Sequence, residues 1–247
     1  MKVIFHDDFY QVYTTDPAAS AGRMESIVEV ITPHAEFINA QSASEDQVAL
    51  VHESVHIEYV RQKGLYPIAA LAAGGAVQAA TLGLSAPCFG LIRPPGHHAS
   101  SGSCWGFCYF NNMAIALEVI KRKGKIKTAF VLDFDLHFGD GTVNILQNRE
   151  YVTVHNPEST NRDIYLNEIS RQLSLWRADI IGISAGFDNH RDDWGGLLRT
   201  EDYHDIGKMV RKTALNNGAG YFAILEGGYN HQVLGDNVLA LIEGMSA

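Results

Sequence analysis

Short apolar runs alternate along this chain with longer stretches of helical periodicity. Lys2–Phe5, Cys88–Ile92, Thr128–Leu132, Val152–His155, Asp179–Ser184 and Tyr221–Leu225 are compact and mainly apolar. Runs of that length, bounded by turn residues, predict buried strands. Residues 66–82 are Ala-rich, and Pro67 near their start suits the first turn of a helix. Asn111–Lys123 is amphipathic with helical spacing and stops at Gly124. Gly141–Asn148, Asp163–Trp176, Thr200–Asn216 and the C-terminal segment also read as helices, with Thr200 or Glu201 near one N-cap. Such alternation predicts an α/β fold with a mainly parallel sheet and helices on both faces. No linker-like composition shift, repeat or low-complexity segment interrupts it, so residues 1–247 are expected to form a single domain.

Ligands of parallel α/β sheets bind outside the carboxyl ends of the strands. The chain concentrates polar residues there: Arg93–His98, Asp133–Asp140, Asp188 and Gly227–Tyr229 each follow a predicted strand. Asp133, Asp135 and His137 alternate with Phe134 and Leu136. In extended chain those three side chains share one side. Leaving them uncompensated at the end of an apolar strand is costly, and a divalent cation is one compensation. A strand that simply surfaces into solvent is the competing explanation.

Asp135, His137 and Asp188 would offer two carboxylates and one imidazole, leaving a coordination position open for water, as in catalytic zinc sites. Fe(II) and Mn(II) suit the same donors. His97 and His98 follow Pro94-Pro95-Gly96 and could move protons at a metal-activated water, or lie on the surface. Asp133 and Asp140 are candidates to orient them. Tyr229, after two glycines, could donate to an oxyanion or pack as a core residue. Phe107, in Gly106-Phe107-Cys108-Tyr109, could line an apolar channel. Cys108 lacks an evident dedicated histidine partner and reads as a small buried residue.

Net charge is −9, which argues against nucleic acid or an anionic membrane as partner and mildly favours a cationic substrate. Three cysteines suggest no disulfide framework. With no signal-peptide pattern and no membrane-length apolar run, the expectation is a soluble cytoplasmic protein.

Five ordered motifs carry a resemblance: Arg93-Pro-Pro-Gly-His-His-Ala99, Gly106-Phe-Cys-Tyr-Phe-Asn-Asn112, Asp133-x-Asp-x-His-x-Gly-Asp-Gly141, Ser184-Ala-Gly-Phe-Asp-x-His-Arg-Asp-Asp193 and Leu225-Glu-Gly-Gly-Tyr-Asn230. Together the chain resembles the zinc-dependent histone deacetylase family, including bacterial acetylpolyamine amidohydrolases and acetoin-utilisation relatives, over roughly residues 1–245. The resemblance implies an arginase–deacetylase fold and hydrolysis of an N-acyl amine. It implies Asp135, His137 and Asp188 as zinc ligands. His98 would be the general base and then acid, with His97 assisting electrostatically. Asp133 and Asp140 would be their carboxylate partners, and Tyr229 would polarise the scissile carbonyl. Phe107 would wall the acyl-lysine tunnel, and the Gly106 carbonyl would contact substrate. A structural potassium ion would be held by Asp133, the backbone of Asp135 and His137, and Thr153 with Val154.

The chain departs from the family pattern in several places. Phe138 stands where a second histidine is usual. The segment around Arg61–Tyr66 is too short for the rim aspartate of protein deacetylases, and residues 156–163 lack the usual Gly/Pro-rich tunnel loop. Trp194 replaces a smaller apolar residue in a shifted stretch. These changes predict a shallow, open mouth and favour a small acylated amine, such as an acetylpolyamine, over acyl-lysine in a histone. A homo-oligomeric partner could rebuild the wall. A catalytically silent binding module and a two-metal ureohydrolase are the competing readings; the complete single-metal residue set favours the amidohydrolase.

Overall fold

The computed structural model describes residues 1–246. Its strands are β1 (Lys2–Phe5), β2 (Glu36–Asn39), β3 (Cys88–Gly90), β4 (Ala129–Asp133), β5 (Val152–His155), β6 (Ile180–Ala185) and β7 (Gly220–Leu225). The α-helices are α1 (Arg23–Ile31), α2 (Glu45–Val48), α3 (Ser54–Gln62), α4 (Tyr66–Gly83), α5 (Asn112–Arg122), α6 (Asp140–Leu146), α7 (Arg162–Leu175), α8 (Thr200–Asn217) and α9 (His231–Ser246). The strands form one parallel sheet in the order β2-β1-β3-β7-β6-β4-β5. Helices flank both faces, so the predicted α/β architecture is present. No helix among the described residues is long and apolar enough to cross a membrane.

The buried strands follow their sequences. Every residue of β4 and β6 is buried, as near-continuous apolar composition demands of central parallel strands. In α4 most residues are buried because Ala and Gly dominate, and small side chains let it lie close to both the sheet and α5. On the opposite face α1, α9, α8 and α7 pack in succession.

Strand β2 was not predicted, for a physical reason. It is an edge strand whose Glu36, Phe37 and Asn39 are exposed, so burial imposes no apolar run. Helices α1–α3 were likewise not predicted, although α1 buries Met24, Ile27 and Ile31 at helical spacing. The strand expected over Cys88–Ile92 ends at Gly90, although Leu91 and Ile92 remain fully buried.

The sheet order brings the polar exits together. Strands β3, β7, β6 and β4 are consecutive neighbours. Their C-terminal ends lead into residues 91–99, 226–230, 186–199 and 134–139. Register aligns Asp133 with Ser184 and Ala185 with Leu225, so these exits lie at one rim.

Candidate metal centre and active site

Asp135, His137 and Asp188 converge at that rim, with one donor atom from each lying within 4.8 Å of the others. His137 Nδ1 lies 3.3 Å from Asp135 Oδ1 and 3.1 Å from Asp188 Oδ2. Backbone groups fix both carboxylates: Gly227 N–H donates to Asp135 Oδ2 at 2.8 Å, and Leu136 N–H to Asp188 Oδ1 at 3.1 Å. Both Asp side chains are buried, whereas the His137 side chain is 38% exposed. The cluster therefore opens to the surface on its histidine side.

Two His–Asp pairs stand beside it. His97 Nδ1 lies 3.2 Å from Asp133 Oδ2, and its Nε2 is 3.7 Å from Asp135 Oδ1. His98 Nδ1 lies 2.7 Å from Asp140 Oδ1. The His98 and His137 rings are 5.9 Å apart, centroid to centroid. Asn111 and Asn112 anchor the histidine loop by donating to the carbonyls of Ala99 and Pro94. Gly141 lets α6 reach that loop, because a Cβ there would sit 2.5 Å from the His98 carbonyl carbon.

Electrostatics separates the two histidines. Burial opposes charge on His97, but Asp135 and Asp133 outweigh it and hold the ring well above its ordinary range. Burial and the neighbouring His97 charge push His98 down to about 4. Hydrogen bonds to Asp135 and Asp188 lift His137 to about 10. Burial works against the Asp135 carboxylate, yet the His97 charge and hydrogen bonds from His137 and Gly227 hold it below the ordinary range. Burial and the Asp135 charge raise Asp188 to about 6. The buried carboxylates thus demand positive charge where the three donors meet, and that donor set fits a divalent cation.

A pocket of about 100 Å³ abuts the cluster, lined in part by His98, Phe107, His137, Trp194 and Tyr229. Trp194 stacks on Tyr229 with centroids 4.1 Å apart and meets Phe107 edge-on at 6.3 Å. Trp194, Phe107 and Tyr229 thus form an aromatic side of this pocket. Residues 156–160 instead line a separate pocket of about 440 Å³ with Leu136, Phe138 and Leu197. The Arg61–Tyr66 segment lines neither of these pockets. Phe138 is half exposed and adds an apolar side to the larger one.

The residues expected to hold potassium lie on or just beyond the neighbouring strands β4 and β5. Thr153 pairs with Phe130 and Val154 with Val131. Just beyond β5, Asn156 Oδ1 accepts from Gly139 N–H at 2.9 Å.

Several structural contributors carried no role in the sequence reading. Glu226 is buried, accepts from Gly96 N–H at 2.7 Å and His97 N–H at 3.2 Å, and burial raises it to about 7. Its position just after β7 was the available signal. Arg23 donates to the carbonyls of Gly228 and Glu226, fixing the turn before Tyr229. His97, Cys108 and Glu226 also place donor atoms within 4.8 Å of one another. Burial and Glu226, however, hold the Cys108 thiol well above its ordinary range, which disfavours the thiolate.

A parallel α/β sheet carrying an Asp–His–Asp cluster and two His–Asp pairs at its strand exits has the architecture of a deacetylase-type domain. The chain belongs to the histone deacetylase domain family, whose model matches residues 18–165 and 156–245. It is 30% identical to a probable deacetylase of Methanothermobacter thermautotrophicus over 302 aligned residues, covering 98% of this chain and 90% of that protein. It is 27% identical to a histone deacetylase-like amidohydrolase of Pseudomonas aeruginosa, covering 93% of this chain and 78% of that protein. An acetylpolyamine amidohydrolase 2 of the same organism is 26% identical over 63% of this chain and 55% of its own length. The solved HDA15 HD domain superposes with a TM-score of 0.84 at 23% identity, covering 98% of this chain and 88% of that one, and so shares the fold.

Proposed function

We propose that this chain is a zinc-dependent amidohydrolase that removes an acetyl or other acyl group from an amine, with a small acylated amine of the acetylpolyamine type as preferred substrate and acyl-lysine as the weaker one. The observation that carries the reading is the placement of the His98–Asp140 pair beside the Asp135–His137–Asp188 cluster at one small pocket. Asp135, His137 and Asp188 would hold the metal. Bound zinc supplies Lewis-acid polarisation of the acyl carbonyl and lowers the pKa of its water.

The protein residues divide the remaining work. His98 gives its Nδ1–H to Asp140, which leaves Nε2 free to accept a proton from water and return it to the departing amine. Burial and the neighbouring His97 charge lower the His98 pKa, so its ring is neutral at neutral pH. His97, held positive by Asp135 and Asp133, supports developing negative charge. Tyr229 donates its hydroxyl to the carbonyl oxygen as charge builds there. Phe107 and Trp194 flank the acyl group, and the Gly106 carbonyl accepts from the substrate N–H. A structural potassium ion would be held by Asp133, the backbone of Asp135 and His137, and Thr153 with Val154.

The acidic net charge of −9 supports a cationic small amine. Metal analysis of the purified protein, paired with detection of free amine from acetylated polyamines and an acetyl-lysine peptide, tests the reading. Stoichiometric zinc with turnover is the expected result. Tight binding of acylated amines without release of product would replace it with a silent binding module.

A further inference from the structure

Asp140 uses both of its carboxylate oxygens. Oδ1 faces His98 Nδ1 at 2.7 Å, and Oδ2 accepts from the indole N–H of Trp105 at 2.8 Å. The same indole covers His98, with ring centroids 3.7 Å apart and planes 31° from parallel. His98 thus has the His97 ring 4.0 Å away and the Trp105 ring at 3.7 Å. The backbone permits this fold-over because Gly106 follows with φ of +60°, and a Cβ there would come within 3.1 Å of His98 Cδ2. Trp105 is nevertheless 52% exposed, so core packing does not account for its position.

A carboxylate held at one oxygen can rotate about its last torsion, and the Asp140 side chain is 36% exposed to competing water. The Trp105 N–H closes the second oxygen and removes that freedom. With Asp140 fixed, His98 is confined to the tautomer with hydrogen on Nδ1, and Nε2 stays bare toward the pocket. The indole face meanwhile limits tilting of the imidazole.

We infer that Trp105 is a positioning residue, acting through Asp140 to hold His98 in one tautomer and orientation. The role rests on the amidohydrolase reading for its consequence in turnover, but not for the geometry itself. Two variants separate the donor from the ring: Trp105→Phe keeps an aromatic face and removes the N–H, whereas Trp105→Gln keeps an N–H donor and removes the face.

Imidazole ¹⁵N spectra of the full chain, with His98 signals assigned by their loss in His98→Asn, read the tautomer directly. The parent should show one protonated and one bare nitrogen. Trp105→Phe should draw the two shifts together, and Trp105→Gln should restore their separation. In steady state Trp105→Phe should lower kcat about tenfold, a part of the ~10²–10⁴ that a positioned acid–base group contributes, with KM unchanged. Melting temperatures should match the parent, since Trp105 is half exposed. Parent-like His98 shifts in Trp105→Phe would overturn the inference, as would a defect confined to KM. Failure of Trp105→Gln to restore the shifts would overturn the donor role. If the ¹⁵N pattern holds in a parent protein that hydrolyses no acylated amine, the hydrolase reading falls and the positioning role stands.

Discussion

His137 Nδ1 lies 3.1 Å from Asp188 Oδ2, a contact that ties the exit of β4 to the exit of β6. These strands are direct neighbours with Asp133 in register with Ser184. The sheet therefore sets the spacing of the donors before any loop contributes. Because Asp188 and Asp135 are buried, their charge has no solvent shell to compensate it.

Asp188→Ala and His137→Ala should each lose zinc and activity together. Among the described residues, Asp135, His137 and Asp188 form the three-donor cluster at this rim, and affinity depends on complete coordination. Zinc should also raise the melting temperature of the parent and leave these variants unmoved, since a ligand stabilises only the state that binds it. Either variant retaining stoichiometric zinc and near-normal turnover would remove that residue from the ligand set.

Tyr229→Phe removes one hydroxyl and leaves the ring stacked on Trp194, 4.1 Å away. Zinc content and fold should persist, while kcat for a simple acetyl amide falls about 10²–10³-fold, the usual cost of one lost oxyanion donor. An unchanged kcat would make Tyr229 a packing residue of the pocket.

The central strands and the polar exits were legible because parallel sheets impose rules visible in one dimension. β4 and β6 had to be almost entirely apolar, and polarity at and just after their ends pointed to a rim site. Edge strand β2 was illegible because its residues face solvent and carry no such demand. The roles of Trp105 and Trp194 could not be read from spacing, since each depends on how a loop folds over a distant strand exit. Trp194 reaches Tyr229 and Phe107 only through the turn between β6 and α8.

Acid should destabilise the protein through a histidine remote from the metal ligands. His52 Nε2 accepts from Asn111 N–H at 2.8 Å inside the fold, and burial with the nearby His56 lowers His52 from 6.5 to about 3. Its folded pKa is depressed, so its contribution is present above pH 6.5 and is lost as pH falls toward 3. Between about pH 7 and about pH 5 the unfolded chain gains this proton and the folded chain does not, a loss of roughly 2 kcal/mol. His52→Gln keeps an acceptor that does not titrate in this range. Urea unfolding at the two pH values should show a smaller decline for the variant, and equal declines would exclude His52 as the source.

Substrate size follows from where the cluster meets the surface. A deep tunnel gains about 0.8 kcal/mol for each buried methylene of a lysine stem. Here His137 is already 38% exposed at its side chain, and the adjoining pocket holds only about 100 Å³. Trp194 packs edge-on against Phe107 in the lining of that pocket. The acyl group is therefore enclosed while the amine side projects outward, where net negative charge favours a cationic chain. Acetylated polyamines should exceed an acetyl-lysine histone peptide in kcat/KM, and added salt should narrow the gap by screening. Oligomeric state must be measured in the same samples, because a partner copy could extend the wall. A tenfold preference for the peptide, about 1.4 kcal/mol at the transition state, would contradict the open amine side.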